Sequence, residues 1–371
     1  MIRSTYVPPP DGGEWQQVTD VNSGFDSDRL SAAVEFALSC ETSWSYGVRD
    51  DVLAQMHEPA PYNTFLGPVK KRGGPAGLIL RNGRIAAEWG DTERPDMTFS
   101  VTKSCLSLCA GLAFDDQLIP DPHALVGTLV DDGGFEGAHN GAITWHQLLQ
   151  QTSEWEGTLW DRPDWLDHNR GVSGSDDSQK GKKRKLQHPG TYWEYNDVRV
   201  NRASLAVTRI WNRPLPDIFA ERIMNPIGAS STWEWHGYAN ATIIIEGQEI
   251  VAIPGGGHWG GGMCISARDQ ARLGLLMLRR GQWQDKRLIS DAWIDWSLTP
   301  CPLNPSYGYM WWLNATGQQA PAAPKSSFFA RGMGSHIIWI DPENEIVSVF
   351  RWIAPGAVAE LVSLILEART D

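Results

Sequence analysis

The chain of 371 residues lacks the patterns that mark metal sites and disulfide frameworks. Its five cysteines form no C-x-x-C pair, and no set of two cysteine or histidine pairs marks a zinc site. Cys105 and Cys109 lie four residues apart in an apolar stretch, so we expect them on one face of a core helix. The sequence therefore predicts no metal, no cofactor and no structural disulfide, as is typical of the reducing cytoplasm.

Long apolar runs and an excess of positive charge are also missing. Residues 1–13 are polar and proline-rich, without the apolar core of a signal peptide, and no stretch approaches the roughly 20 apolar residues of a membrane span. The formal net charge is −12, which repels nucleic-acid phosphates and anionic lipid. We expect a cytoplasmic protein that binds neither nucleic acid nor membranes. We also expect the charge-dense stretch 171–185, which includes the basic run 182–185, to be a solvated loop. Homo-oligomer formation stays open.

Tryptophan, in contrast, is abundant, with 19 residues. Several tryptophans lie in polar, glycine-rich contexts, among them Trp155, Trp259 and Trp312. Most must pack in the core, but rigid aromatic side chains also wall the clefts that bind apolar substrates. We therefore expect some of them to line a substrate cleft.

Strand patterns occur towards both ends of the chain, and helix patterns dominate the middle. Asn82-Gly83 between the apolar runs 76–80 and 84–89 predicts a β-hairpin. Alternating or continuous apolar runs predict further strands at 307–313, 327–330, 336–340 and 346–352. Helical spacing predicts helices at 28–40, 100–114, 144–150, 197–211, 216–223, 267–280 and 357–368.

This distribution predicts an α+β fold in which the two ends of the chain share one antiparallel sheet flanked by helices. We expect an extended arm at 1–25, a sheet lobe made of 26–97 and 300–371, and a mainly helical inserted lobe at 98–299. A cleft between the two lobes is the expected place for an active site.

Ser100 and Lys103 form the first candidate catalytic pair. The chain has nine lysines, and only Lys103 has a serine three residues before it. Ser100 opens a predicted helix, whose N-terminal N–H groups favour negative charge, and the spacing places both side chains on one face. A lysine beside a serine helps to activate it as a nucleophile. From these residues alone, an N-cap serine with a snorkelling lysine explains the pattern equally well.

Five ordered segments between about residues 75 and 353 resemble the serine β-lactamase and penicillin-binding-protein superfamily, in its class C β-lactamase-like and esterase branch. Residues 99–104 (FSVTKS) resemble the first motif of that family, and 148–155 (LLQQTSEW) resemble its LLxHTSG segment, with Gln151 for His and Glu154 for Gly. The other three segments are 189–197 (PGTYWEYND), 225–228 (NPIG) and 261–269 (GGMCISARD), which resemble PGxxFxYSN, PLGM and GGLxSTARD. The resemblance implies the β-lactamase/transpeptidase-like fold.

The resemblance also implies roles for individual residues. Ser100 is then the nucleophile, and Tyr195 is the second-motif tyrosine that acts as its general base, with Lys103 as the cation beside it. Tyr238-Ala239-Asn240 matches the second motif literally, but it follows the segment 225–228, where the family order does not place that motif.

Two departures from the family pattern leave alternatives open. Asp197 stands where the family has asparagine, and a carboxylate near Lys103 would keep that lysine charged. Either Tyr195 then carries more of the proton transfer, or Asn196 takes over the amide role.

The third family motif, Lys-Thr-Gly or His-x-Gly, has no literal match, and residues 330–334 (ARGMG) are the candidate. The resemblance implies that the N–H groups of Ser100 and Met333 form an oxyanion hole, with Gly332 allowing close approach of the substrate. Arg331 either binds a substrate carboxylate or points into solvent.

His258 and Trp259 lie among six glycines, at 255–257 and 260–262. Such a run is typical of a flexible loop, which would present the tryptophan to the cleft. Alternatively, the glycines form turns and His258 is a surface residue. A role for His258 in a catalytic triad is disfavoured, because Ser100, Lys103 and Tyr195 make it redundant.

Taken together, the sequence predicts a serine hydrolase that forms an acyl-enzyme on Ser100. The absence of G-x-S-x-G disfavours an α/β-hydrolase. A carboxylesterase for small, partly apolar esters is the leading expectation, followed by an amidase or linear amide-oligomer hydrolase, and then a β-lactamase or D,D-peptidase. A catalytically silent binding protein on the same scaffold is the alternative that is not an enzyme.

Overall fold

The protein is described by a computed structural model that covers residues 6–19, 24–172 and 177–370. Its strands are β1 Ala76–Arg81, β2 Arg84–Trp89, β3 Asp96–Met97, β4 Thr158–Leu159, β5 Arg162–Pro163, β6 Glu234–His236, β7 Thr242–Ile245, β8 Gln248–Val251, β9 Gly262–Ile265, β10 Gln282–Trp283, β11 Lys286–Arg287, β12 Trp312–Leu313, β13 Phe328–Gly332, β14 His336–Asp341 and β15 Ile346–Arg351. Its α-helices are α1 Ser27–Ser39, α2 Arg49–Gln55, α3 Val101–Asp115, α4 Gly137–Asn140, α5 Trp145–Leu149, α6 Asp197–Trp211, α7 Leu215–Phe219, α8 Ala267–Leu278, α9 Asp291–Leu298 and α10 Val358–Glu367.

The main sheet has six antiparallel strands in the order β12-β13-β14-β15-β1-β2. Leu78 of β1 faces Val349 of β15, so a strand from the first quarter of the chain pairs with one from its last residues. The predicted hairpin between β1 and β2 is present, and Asn82 and Gly83 both have positive φ, as a tight type I′ turn requires. The predicted fold class is confirmed.

Alternating side chains of the sheet belong to two different hydrophobic cores. On β14, Ile337 and Trp339 pack in one core with α1 and α10, whereas Ile338 and Ile340 pack in the other with α3 and α8. Because successive strand residues point to opposite faces, a strand covered on both faces is apolar throughout. This explains why continuous apolar runs near the C-terminus predicted strands correctly.

The middle of the chain contains helices α3 to α9 together with small β elements that the sequence did not predict. These are the sheet β3-β9-β6 and the hairpins β4-β5, β7-β8 and β10-β11. The division of the chain into lobes at residues 97 and 300 stays a prediction. Within the described ranges, none of the helices is both long and apolar enough to cross a bilayer.

Two predicted elements differ from the structure. The predicted strand at 307–313 is reduced to Trp312–Leu313, because the chain turns at Met310, whose φ is +60°. The predicted helix at 216–223 is an α-helix up to Phe219 followed by a π-helical turn over Ala220–Met224.

The charged loop after residue 176 is anchored to the protein interior, so its prediction as a simple solvated loop was wrong for two of its cations. Lys182, Lys183 and Lys185 are exposed, but the side chain of Lys180 is only 3% exposed and contacts Glu58. The predicted loop residues 173–176 lie outside the described residues. The local pattern could not reveal the anchoring, because the carboxylates that bind these cations are distant in sequence.

Arg184 provides the second anchor of this loop. Its guanidinium donates hydrogen bonds of 2.6 and 2.5 Å to the two carboxylate oxygens of Glu154 and contacts Glu194 at 2.8 Å. Arg199 of α6 also contacts Glu154, at 2.6 Å. Burial alone would raise the pKa of Glu154, but hydrogen bonds from Arg184 and the charge of Arg199 lower it from the usual 4.5 to about 2.

We predict that protonation of Glu154 contributes to acid unfolding. A carboxyl with a lowered pKa in the folded state stabilises the fold fully above its unfolded pKa, and the contribution is lost as the pH falls towards its folded pKa. For Glu154 this contribution amounts to about 3 kcal/mol, and it is lost between about pH 4.5 and 2. We expect Glu154→Gln to be less stable than the wild type at pH 7, and to lose less further stability on acidification, as measured by urea unfolding at a series of pH values.

The control for this experiment is Glu35→Gln, the same chemical change on the exposed face of α1. Its pH dependence should follow that of the wild type. If the curves for Glu154→Gln and the wild type run parallel below pH 5, the anchoring of this carboxylate is not what acid disrupts.

Candidate active site

Ser100 lies at the N-terminus of α3 with its hydroxyl free of the helix. It occupies the N-cap position, but its side chain makes no capping hydrogen bond to the backbone. Instead, its Oγ accepts a hydrogen bond of 2.8 Å from the Nζ of Lys103. Helix α3 is buried on all sides from Val101 to Ala113, so its start is held rigidly.

The backbone around Ser100 is tightly constrained. Phe99, directly before it, is buried and has a φ of +48°, a left-handed conformation that is strained for a phenylalanine. Gly332 at the end of β13 packs against this turn, since a Cβ on it would lie 2.1 Å from the carbonyl oxygen of Thr98. Only glycine fits there, and the strand end is thereby brought beside Ser100.

Ser100 opens into a cavity of about 200 Å³. Five predicted site residues line it together: Ser100, Tyr195, Arg331, Gly332 and Met333. Arg170, Gly171, Val172 and Trp312 complete its wall. Trp312 was one of the tryptophans in a glycine-rich context, but nothing in the local sequence singled out the segment 170–172.

Lys103 connects Ser100 to a buried carboxylate. Its side chain is 2% exposed, and its Nζ lies 2.5 Å from Oδ1 of Asp197. Burial would lower the pKa of Lys103, but the negative charge of Asp197 outweighs this effect, and the pKa is raised. Lys103 is therefore held as an ammonium ion, which donates to Ser100 and has no lone pair to accept its proton. Gly256 leaves the room for it, because a Cβ there would lie 2.2 Å from Nζ.

Tyr195 lies between two cations. Its ring centroid is 4.8 Å from the Nζ of Lys103 and 5.1 Å from the Cζ of Arg170. The rings of Trp312 and Tyr307 pack against it at 5.5 and 6.2 Å. This environment holds the ring in place and attracts negative charge to it.

Asn196 and Asp197 have separate tasks. Asn196 caps α6, accepting a 3.1 Å hydrogen bond from the N–H of Arg199, and does not line the cavity. Asp197 is the residue that contacts Lys103, and its Oδ2 lies 2.6 Å from Nη1 of Arg170 and 3.1 Å from Nδ1 of His258. Burial would raise the pKa of Asp197, but Arg170, Lys103 and His258 hold it well below its usual range.

Three predicted substrate-contacting residues lie in the interior instead of the cavity wall. Trp155 is 4% exposed and its indole donates to the carbonyl of Gly134, while Trp259 is fully buried. His258 is also buried, so the loop does not present an aromatic to the cleft; of the second alternative, the glycine turns are present but the histidine is not at the surface. The glycines at 257 and 260–262 all have positive φ and turn the loop inward, where the carbonyl of Trp259 accepts the N–H of Leu66.

Sequence reasoning missed the charged groups behind His258. Glu58, Asp167 and His258 bring side-chain oxygen and nitrogen atoms within 4.8 Å of one another, a grouping whose size alone would admit a metal ion. The Nζ of Lys180 lies 2.6 Å from Glu58 and 3.5 Å from Asp167, so an ammonium ion already provides positive charge there. Burial would raise the pKa of Glu58, but His258 and Lys180 lower it to about 2. No motif marks these residues, because their partners are distant in sequence.

Three solved structures share this fold across most of their length. EstCE1, a hydrolase with promiscuous acyltransferase activity, aligns with a TM-score of 0.59 and 14% identity, over 92% of this chain and 98% of its own. A protein of Bacillus anthracis with the provisional name 6-aminohexanoate-dimer hydrolase aligns with a TM-score of 0.57 and 16% identity, over 98% and 88%. A family VIII carboxylesterase aligns with a TM-score of 0.56 and 15% identity, over 86% and 96%. At these identities the likeness is one of fold.

A search of curated protein sequences finds no match to this chain. The family model named Beta-lactamase, in contrast, matches residues 69–352, a range that begins before β1 and ends just after β15. This range includes Ser100, Lys103, Tyr195 and the end of β13. Since the match extends over most of the sequence, the chain belongs to the β-lactamase family.

Proposed function

We propose that this protein is a serine hydrolase that forms an acyl-enzyme on Ser100 and acts as a carboxylesterase on small, partly apolar esters. The observation that carries the proposal is the position of the Ser100 hydroxyl. It makes no capping hydrogen bond, accepts a hydrogen bond of 2.8 Å from Nζ of Lys103 and shares a cavity with Tyr195. A nucleophile, a fixed cation and a candidate base within one cavity are what acyl transfer requires.

In the proposed mechanism Tyr195, as a phenolate, takes the proton of Ser100 while Oγ attacks the ester carbonyl. Lys103 cannot take this proton, because Asp197 holds it as an ammonium ion. Its charge and that of Arg170 stabilise the phenolate. The N–H groups of Ser100 and Met333 are the donors proposed for the oxyanion. Tyr195 then returns the proton to the departing alcohol, and a water molecule hydrolyses the acyl-enzyme by the same route.

The cavity favours esters with small acyl groups. Its volume is about 200 Å³, and Val172, Trp312 and Met333 provide apolar wall. A linear amide is the second candidate substrate, supported by the neighbour with the provisional name 6-aminohexanoate-dimer hydrolase. β-Lactams and D,D-peptides rank third, since Ala330 and Arg331 replace the Lys-Thr pair of the family motif.

The hydrolase proposal predicts that a fluorophosphonate labels Ser100 covalently. We expect intact-mass and peptide mass spectrometry to detect one adduct, on Ser100, and none on Ser100→Ala. The control is Ser104→Ala, one turn further on α3. The hydroxyl of Ser104 is bonded to the carbonyl of Met310 and should not react, so its removal should leave the labelling of Ser100 unchanged. Absence of an adduct on folded wild-type protein would contradict the proposal and favour a catalytically silent binding protein.

The assignment of the base predicts different results for two tyrosines. We expect Tyr195→Phe to lower kcat for p-nitrophenyl esters by about 10²–10⁴-fold, as loss of a general base does. Tyr238→Phe, the matched control, should change kcat by less than about threefold, because Tyr238 is buried away from the cavity and burial raises its pKa. The reverse result would assign the base to Tyr238.

Arg331 suggests how the cavity selects its substrates. Its Nη1 donates to the side chain of Gln319, and in the described part of the chain no carboxylate pairs with it. Burial lowers the pKa of Arg331, and the interaction with Tyr195 offsets this effect only in part. The positive charge of Arg331 is therefore poorly compensated by its surroundings. An anionic group on the substrate, at a distance from the ester carbonyl, would compensate it.

We therefore expect Arg331→Gln to change selectivity. For mono-p-nitrophenyl glutarate relative to the neutral p-nitrophenyl pentanoate, the ratio of kcat/KM values should fall by about 10–100-fold, since a hydrogen bond to a charged group contributes about 1.5–3 kcal/mol. Arg213→Gln removes an arginine at the surface, where it pairs with Glu221, and should leave the ratio unaltered. An unchanged ratio in Arg331→Gln would mean that Arg331 does not contact the substrate.

A further inference from the structure

A line of buried charges continues from Ser100 into the protein beyond Asp197. The Nδ1 of His258 lies 3.1 Å from Oδ2 of Asp197, and its Nε2 lies 2.9 Å from Oε1 of Glu58. The side chains of these three residues are 5%, 3% and 1% exposed, so water does not screen their charges. His258 thus bridges the carboxylate that holds Lys103 and a second carboxylate from the chain after α2.

The two contacts of His258 determine its charge state. A neutral imidazole has one N–H donor and one lone pair, so one of its nitrogens would place a lone pair against a carboxylate oxygen. An imidazolium instead donates a hydrogen bond from Nε2 to Glu58 and places its positive charge against Asp197 as well, whose Oδ2 lies 3.1 Å from Nδ1. Burial would lower the pKa of His258, but Glu58 and Asp197 raise it above its usual value.

The charged groups around this histidine come from several separate parts of the chain. Glu58 and Asp197 touch the ring, and Lys180 and Asp167 lie beside Glu58. Lys103 and Arg170 lie on the far side of Asp197, and Arg162 packs on the ring of Trp259, the residue after His258. Without Arg162, which forms no ion pair with them, the residues of this group that are ion-paired with one another are three cations (Lys103, Arg170 and Lys180) and three carboxylates (Glu58, Asp167 and Asp197). With these in balance, an imidazolium leaves one surplus positive charge.

We infer that His258 is a positioning residue which, as an imidazolium, holds Asp197 against Lys103 and adds a positive charge that a Tyr195 phenolate neutralises. The inference rests on the proposed function, because it assigns a role in the proton transfer from Ser100. His258 itself does not contact Ser100: Asp197 and Lys103 lie between them, and both of its nitrogens face carboxylates. It acts through Asp197 and is not the histidine of a catalytic triad.

The kinetic test is His258→Gln, which retains an amide donor but removes the charge. We expect kcat to fall at least tenfold with little change in KM, because the substrate cavity does not include His258. The acid limb of the kcat/KM profile should move to higher pH than in the wild type, since the group that accepts the proton of Ser100 loses a neighbouring positive charge. His57→Gln, an exposed histidine directly before Glu58, is the matched control and should retain the wild-type profile. A merely structural role would lower the amount of folded protein without moving the profile.

A spectroscopic measurement tests the charge state without relying on activity. In Ser100→Ala, nitrogen-15 NMR of the histidine side chains at pH 7.5 should show His258, identified by its loss in the double variant with His258→Gln, with both nitrogens protonated. A neutral imidazole would overturn the inference even if the protein is an esterase. An unchanged pH profile in His258→Gln would overturn the positioning role. Failure of the hydrolase proposal is detected separately, as absence of fluorophosphonate labelling of wild-type Ser100.

Stability provides a third readout of the same charge. A histidine whose pKa is raised by folding stabilises the fold fully below its unfolded pKa of about 6.5, and this contribution is lost as the pH rises through its folded pKa. The stability deficit of His258→Gln relative to the wild type should therefore be larger at pH 6 than at pH 9.5 in urea unfolding. A deficit that does not change with pH would contradict the imidazolium assignment.

Discussion

The buried ion pair between Lys103 and Asp197 is the interaction on which the site depends. It joins α3, which Ser100 caps, to α6, which begins two residues after Tyr195, at a distance of 2.5 Å and away from water. Removing Asp197 would leave the ammonium of Lys103 buried without a carboxylate partner, a loss that typically costs about 3–5 kcal/mol. The pair therefore aligns two helices and also determines which group near Ser100 can accept a proton.

The sheet and the first turn of the site could be predicted from the sequence because their causes are local. An Asn-Gly pair favours the turn with positive φ at two positions, so the hairpin is predictable from a few residues. A strand buried on both faces is apolar throughout, so the C-terminal strands are likewise predictable from short segments. Ser100 and Lys103 are three residues apart on one helix. The ordered resemblance to the family added Tyr195 and the end of β13, whose roles stay proposals.

The rest of the site arises from contacts between residues that are far apart in the sequence. Glu58 and His258 are separated by 200 residues, and their pairing depends on where the glycine-rich loop folds. Glycine permits both an exposed loop and an inward turn, so the run 255–262 did not distinguish a cleft aromatic from a buried histidine. Arg184 and Glu154 were missed for the same reason: a charge run resembles a solvated surface unless its distant partners are known.

The position of Glu58 in the chain has a consequence for what constitutes the functional unit. The family match begins at residue 69, yet the carboxylate that faces the second nitrogen of His258 comes from residue 58. The proposed chemistry thus draws on a segment outside the shared family core. Related chains that keep Ser100, Lys103 and Tyr195 but differ in this segment would share the reaction while working best at a different acidity.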